Sequence, residues 1–347
     1  MKEIKIGIIG MGRMGVTHYA ILNSRPDVRI VSVSDTSKAV LNVCRKLNPE
    51  LDIHVDYRRM LTKTPLDGVV VCTPPVLHYD VCKTACENGI AVFCEKPFTV
   101  NTGQARELTE MFRAAGLVNQ IGYVNRFNDV FLKSREFVRA GLLGKIVRFK
   151  SEMFSATVVR PVSGGGWRSK HATGGGCVFE MASHAIDLVN YFLGGSAKIF
   201  GAAMSSIYSK KVEDAVTAAL LYDDGKFGTI DVNWCDTSYR KPCNKIELFG
   251  TGGKLLADQY GLRIFMNEPN ESFGLNKGWN TLSITDLFRP VPFYVRGNEF
   301  TAQLYHFADA IQARAPETLC GFADGLAVHE IIQQIFEFSG SVPVNKA

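Results

Sequence analysis

The sequence predicts an α/β chain in two parts: a doubly wound parallel sheet, then an α+β domain with a large, open, mainly antiparallel sheet. Three observations carry this. Up to about residue 122, short apolar runs alternate with amphipathic segments of helical length. Beyond Asn125, strand-like runs follow one another with no helix between them. A glycine-rich turn, Gly10–Gly15, joins the first apolar run to the first helical segment.

Taken in order, Ile4–Ile9, Arg29–Ser34, Leu66–Cys72, Ala91–Cys94 and Leu117–Ile121 read as strands, several nearly continuous in apolar residues, as strands covered on both faces must be. Helices are expected over Met14–Asn23, Lys38–Leu47, Val76–Glu87 and Thr102–Ala114, the last started by Asn101 and stopped by Gly116. In the second part, Asp129–Ala140 reads as a helix ended by Gly141, and Lys145–Ser155 as a strand. Gly-rich loops at Ser163–Gly166 and Gly174–Gly176 precede a helix over Cys177–Leu193, stopped by Gly194–Gly195. Strands follow at Ile199–Ser206, Ala215–Tyr222, Phe227–Trp234, Lys245–Phe249 and Lys254–Ala257, with hairpin signals at Asp223-Asp224-Gly225 and Thr251-Gly252-Gly253. Gly261–Phe293, rich in Asn, Gly and Ser, reads as loops, and helices over Glu299–Arg314 and Gly321–Phe338 close the chain. The change of rhythm sets domains at 1–123 and 124–347.

Composition narrows the function. The 347 residues suffice for about two domains with their own cores. The net charge of +5 is mild, and the basic pairs (Arg45/Lys46, Arg58/Arg59, Lys210/Lys211, Arg240/Lys241) are scattered, so no nucleic-acid partner is expected. Nine cysteines without a CxxC pair suit buried thiols in a reducing cytosol and no metal site. No secretory segment opens the chain, and no apolar run approaches the ~20 residues that span a bilayer, so a soluble, cytoplasmic protein without a membrane partner is expected.

Gly10-Met11-Gly12-Arg13-Met14-Gly15 matches GxGxxG directly after a strand and at the start of a helix. That context is the Rossmann dinucleotide site: Gly10 permits the tight turn, Gly12 lets backbone approach a pyrophosphate, Gly15 lets helix and strand pack closely. The helix N-terminus offers its N–H groups to the phosphates. Asp35, 20 residues beyond Gly15, is placed to bind the adenosine ribose hydroxyls and to repel a 2′-phosphate, favouring NAD over NADP. Lys38 is a candidate partner for such a phosphate, which keeps NADP open. Thr73-Pro74-Pro75 follows the strand Leu66–Cys72 on the ligand side, and His78 either lies near the ribose or nicotinamide or caps its helix. Glu95-Lys96-Pro97 ends the strand Ala91–Cys94 on the same side, where a lysine can point its ammonium at a ligand.

With these motifs, the chain resembles the Gfo/Idh/MocA oxidoreductases: GMGRMG, CTPPVLH, CEKPF, GYVNRF and GGGCVFEMASHAID occur in the family's order over nearly the whole length. The resemblance implies a Rossmann domain followed by a mixed domain with a large open sheet. It also implies a sugar, polyol or nucleotide-linked sugar as substrate, and a homodimer or homotetramer.

Glu180, His184 and Asp187 share one face of the helix expected over Cys177–Leu193. Oxidising an alcohol requires removal of the hydroxyl proton as hydride leaves the carbon, a task suited to a histidine with a pKa of about 6.5, oriented by a carboxylate. Carried over from the family, Lys96 and His184 flank the reacting hydroxyl and His184 is the base. The family often has Asp where Glu180 stands and Gly where Ala182 stands, which weakens the role assigned to Glu180. Asn125 and Arg126 lie where the family lines its cleft, with Arg126 and Asp187 each a candidate to bind the substrate, and Trp167 and Arg168 offer a stacking wall and a polar clamp. Arg160, Lys170 and His171 add charge suited to a carboxylate or phosphate on the substrate. Two rival readings keep the fold: a dinucleotide-binding regulator without turnover, and an enzyme that recycles a tightly held NAD(H). Reduction of an imine or a bilin-like ketone is a further variant.

Overall fold

The computed structural model describes residues 3–161, 166–194 and 197–341. Residues 163–165 of the expected first glycine loop, and Gly195 of the helix stop, lie outside the described residues. Two compact units form, the first from residues up to Val124 plus Pro290–Leu326, the second from Asn125–Arg289 plus the chain from Ala327.

The first unit holds strands β1 (Ile4–Ile9), β2 (Val28–Ser34), β3 (Asp52–His54), β4 (Gly68–Val71), β5 (Ala91–Cys94) and β6 (Asn119–Ile121), with helices α1 (Arg13–Asn23), α2 (Lys38–Leu47), α3 (Tyr57–Lys63), α4 (His78–Glu87) and α5 (Thr102–Ala115) between them. All strands are parallel in the order β3-β2-β1-β4-β5-β6, which is the doubly wound arrangement with its switch point at β1/β4. β4 and β5 are buried along their whole length, which is why they read as unbroken apolar runs. Asn101 caps α5 by accepting N–H bonds from Gly103 and Gln104, and Gly116 ends it at φ +61°. β3 and α3 did not register in the apolar pattern, because β3 has three residues, none fully buried.

In-register ladders bring every ligand-side turn to one edge. The Gly10 N–H bonds the Ser34 carbonyl, the Cys72 N–H the Ile9 carbonyl, the Glu95 N–H the Val71 carbonyl and the Gly122 N–H the Cys94 carbonyl.

The second unit is built on β7 (Ile146–Phe154), β8 (Ala197–Ser205), β9 (Ala215–Tyr222), β10 (Phe227–Asn233), β11 (Cys243–Gly250), β12 (Gly253–Asp258), β13 (Gly261–Met266) and β14 (Gly278–Ser283). Its order is β14-β13-β12-β11-β7-β10-β9-β8, antiparallel throughout except for the β7/β10 pair. Helix α6 (Asp129–Arg139) packs on β12 and β13, and α7 (Ser183–Leu193) on β7, β10 and β11. Both lie on the face that buries alternate residues such as Val216, Ala218 and Leu220.

The region from Gly261 to Phe293, read from sequence as loops, contains β13, β14 and a short helix, α8 (Ile284–Leu287). The polar composition hid a period of two: Leu262, Ile264 and Met266 point into the core, and edge strand β14 buries none of its residues fully.

A boundary after residue 123 marks the chain's first crossing but not its return. Helix α9 (Asn298–Ala313) comes back to the first unit, where Leu304, Phe307, Ala308 and Ala310 join the cluster of Ile6, Ile8 and Phe93. Helix α10 (Phe322–Ser341) then spans the limit between the units. Among the described residues no helix is long and apolar enough to cross a membrane.

Candidate active site

In the first unit the glycine turn has the geometry a dinucleotide requires. Gly10 adopts φ +89°, and a Cβ there would lie 2.8 Å from the Cys72 carbonyl. A Cβ at Gly15 would stand 2.0 Å from the Gly10 oxygen, so any side chain would push α1 off its turn. Gly12 faces open space, with no heavy atom within 4 Å of a Cβ. Gly12 is also the N-cap of α1, whose first turn has neither a side-chain cap nor an acidic residue. The first N–H groups of α1 are therefore open to an anion.

Asp35 follows β2, and its Oδ2 accepts the Met11 N–H at 2.8 Å while its Oδ1 accepts that of Ser37 at 2.8 Å. Met11 is buried, Arg13 is exposed, and Met14 is half-buried with the Arg296 guanidinium 3.5 Å from its sulfur. Beyond β4, Pro74 is exposed and the Thr73 hydroxyl is buried without a partner among the described residues, at the edge where a cofactor would lie. The glycine turn, the uncapped helix and this hydroxyl fit a dinucleotide.

His78 does not face that edge. It is fully buried, its Nε2 2.8 Å from the Thr73 carbonyl and its Nδ1 3.0 Å from that of Pro97. Burial pulls its pKa down against the carbonyls. The residue is a clasp joining two ligand-side turns, which replaces the expected place beside ribose or nicotinamide. Glu95 also turns inward. Its Oε1 lies 2.7 Å from Nε2 of the buried His18, and its Oε2 accepts the Lys96 N–H at 3.2 Å. Lys96, on the turn after β5, is half-buried.

In the second unit the helix expected over Cys177–Leu193 forms in two pieces, a π-helical turn at Val178–Ala182 and α7. Such wide turns recur at functional sites. His184 stands in the first turn of α7, 9% exposed. Glu180 lies in the π turn, where its Oε1 is paired with Arg168 at 3.1 Å. Asp187 is paired with Arg126, whose Nε donates to Oδ1 at 3.0 Å and to Oδ2 at 3.2 Å and whose Nη2 lies 2.7 Å from Oδ1, both residues almost wholly buried. Arg126 and Asp187 therefore brace the turn before α6 to α7, with the guanidinium 5.2 Å above the Tyr191 ring. The expectation that each meets substrate separately gives way to this brace. Asn125 is buried with its amide nitrogen unpartnered among the described residues. Trp167 is half-buried under the Arg168 guanidinium, 4.6 Å from its ring. Arg160 and Lys170 are exposed.

Sequence reasoning missed Glu213. It is 5% exposed, its Oε1 accepts the Val178 N–H at 2.8 Å, and its Oε2 lies 3.2 Å from His171 Nε2. Gly176, at φ +106°, leaves room for it: a Cβ there would be 2.4 Å from Oε1. Glu213 thus ties down the start of the turn that carries Glu180 and leads to His184. Burial pushes its pKa from 4.5 up to about 7. A carboxyl group whose folded pKa is raised stabilises the fold fully below its unfolded value, and that stability is lost as pH rises through the folded value. Stability is therefore expected to fall between pH 4.5 and about 7 by up to about 3 kcal/mol from this group. Thermal melts across that range should show the slope flattened in Glu213→Gln; an equal slope in both proteins would refute it.

Comparison with known proteins agrees with this architecture. Residues 4–123 match the family described as oxidoreductase family, NAD-binding Rossmann fold, and residues 131–256 match the GFO/IDH/MocA C-terminal domain. The scyllo-inositol 2-dehydrogenase (NAD(+)) of Bacillus subtilis is 28% identical over 261 residues, covering 73% of each chain. The myo-inositol 2-dehydrogenase of Thermotoga maritima is 25% identical over 265 residues, covering 74% of this chain and 75% of its own. A levoglucosan dehydrogenase solved with NADH and levoglucosan shares the fold over 98% of both chains, with a TM-score of 0.85 at 19% identity. The chain belongs to the GFO/IDH/MocA family of NAD-binding oxidoreductases.

Proposed function

We propose that the protein oxidises a secondary hydroxyl of a sugar, an inositol-like polyol or a nucleotide-linked sugar, or reduces the corresponding ketone. One observation carries this reading. A chain of this family presents a lysine on the ligand-side turn after β5 and a histidine at the start of α7, the two ionisable groups that alcohol oxidation needs. The inositol dehydrogenases among its relatives, and the fold shared with levoglucosan dehydrogenase, support the substrate class.

In this reading Gly10, Gly12, Gly15 and the first turn of α1 hold the pyrophosphate, and Asp35 takes the adenosine ribose. Thr73 and Pro74 line the same edge. When bound, NAD supplies the acceptor for the hydride that leaves the carbinol carbon. The Lys96 ammonium donates to the reacting oxygen, fixing it and stabilising the negative charge that develops there. His184 accepts the hydroxyl proton. Glu180, held by Arg168, keeps a fixed carboxylate one turn before His184, while Asn125 offers its unpartnered amide, and Trp167 its ring face, to the sugar.

Asp35→Ala is expected to relax the preference for NAD over NADP by about tenfold in relative Kd, measured by fluorescence titration, because it removes a carboxylate that would face the 2′-phosphate. An unchanged ratio would take Asp35 out of cofactor choice.

The chain is proposed to work in the cytoplasm as a homodimer or homotetramer. All nine cysteines are free, as a reducing compartment keeps them. The sheet face opposite α6 and α7 is uncovered, and along it Leu221, Phe227, Phe249 and Trp279 mix with Lys150, Glu152 and Glu247. A surface carrying both signs and exposed apolar groups suits a second copy of itself.

The test is absorbance at 340 nm with NAD, then NADP, across inositols, free sugars, sugar acids and nucleotide-sugars. A rise with one class supports the reading. No rise with any, in protein shown to bind NAD, favours a regulator, unless mass spectrometry of the purified protein finds NAD(H) retained.

A further inference from the structure

We propose that His18, on α1, is a positioning residue that acts through Glu95 to hold Lys96 in place for the reaction. The proposal rests on the role given to Lys96 above. His18 stands three residues after Gly15 on the helix face that meets the sheet, and it is 0% exposed. Its Nε2 lies 2.7 Å from Glu95 Oε1. An ionised carboxylate only accepts, so Nε2–H donates. The other ring nitrogen is buried without a partner, and the ring meets Phe93 edge-on at 5.3 Å between centroids, so its orientation is set by the Glu95 bond and by packing.

The carboxylate is fixed from its other side as well. Its Oε2 accepts the Lys96 N–H, and a Cβ on Gly122 would come within 3.0 Å of that oxygen. Burial raises the pKa of Glu95, but the bond from His18 and the Lys96 ammonium lower it by more, so the group stays ionised. A buried charge of this kind is a costly way to fill space, and an apolar pair would pack the same gap at no loss of stability. What an apolar pair lacks is a negative charge fixed one residue before the lysine. His78 ties the next residue, Pro97, to the Thr73 turn, so the lysine's turn is anchored on both sides. His18 also joins the helix whose N-terminus receives the cofactor's phosphates to the turn that carries the reacting ammonium.

The experiment compares His18→Leu, His18→Gln and Glu95→Gln with the unaltered protein by two readouts. The first needs no substrate: the rate of Lys96 acetylation by trace acetic anhydride, read by peptide mass spectrometry against exposed Lys63. Without the His18–Glu95 bond the turn that carries Lys96 is held less firmly and the reagent reaches its side chain more easily, so His18→Leu and Glu95→Gln should raise the relative rate roughly threefold or more. His18→Gln, which keeps an N–H near Oε1, should return most of the way. The second is kinetic, with the substrate selected at 340 nm. kcat should fall about tenfold or more in His18→Leu and Glu95→Gln while the Kd for NAD stays within about twofold. The double variant should be no worse than the poorer single one.

A folded His18→Leu with a lowered Tm but unchanged Lys96 labelling would overturn the proposal and leave His18 a packing residue. If His18→Leu does not fold, Glu95→Gln, of unchanged size, decides by the same labelling. Failure of every substrate at 340 nm would count against the dehydrogenase reading and leave the labelling result intact.

Discussion

Replacing His184 with alanine is expected to lower kcat by about 10²–10⁴-fold, with NAD binding kept within about twofold of its original affinity. The imidazole stands at the start of a helix in the second unit, and the glycines proposed to hold the phosphates belong to the first, so the expected loss is one of chemistry and not of cofactor. Without a positioned base, the hydroxyl proton must pass to solvent. The residual rate should therefore climb with pH beyond the range where the unaltered enzyme levels off. Stopped-flow absorbance at 340 nm with saturating NAD gives the rate, and fluorescence titration gives the affinity. Turnover equal to the unaltered enzyme would remove His184 from the mechanism.

Lys96→Met should lower kcat/KM by about 10²–10³-fold, the loss associated with removing one preorganised donor to a developing negative charge. Methionine retains length and apolar contacts, so the turn after β5, pinned by His18–Glu95 and by His78, should keep its shape. Unlike His184→Ala, this variant should gain little from raised pH, because hydroxide replaces a base and not a fixed ammonium. Steady-state kinetics from pH 6 to 10 on both variants separates the roles. The same pH response in both would mean that the two residues do not divide the work in this way.

What could be read from sequence was whatever is local in the chain. The glycine turn is written within six residues, and the strand before it and helix after it are written in apolar periodicity, so the sequence alone locates Gly10, Gly12 and Gly15 at the strand-to-helix turn. Lys96 and His184 came from motif resemblance, and the elements that carry them formed where expected. The rest depends on partners far apart in sequence. His18 and Glu95 are separated by 77 positions, Arg126 and Asp187 by 61, Glu213 and Val178 by 35. His18 drew no reading from sequence, because nothing near it in the chain points to Glu95. The four-residue spacing of Glu180 and His184 suggested a direct pair on one helix face. The π turn, and Arg168 as a partner of Glu180, came only with the structure, and neither is coded by periodicity. β13 and β14 were lost because the Asn, Gly and Ser around them read as loop, β13 has only three buried positions and β14 has none.

The central claim is that hydrogen passes from a carbinol carbon of the substrate to NAD. The direct measurement is the mass of the reduced cofactor formed from a substrate carrying deuterium on that carbon. NADH heavier by one deuterium is expected in nearly every molecule, with a slowed reaction where that bond breaks in the limiting step. Reduced cofactor without deuterium, or labelled product with no change in the cofactor pool, would contradict it.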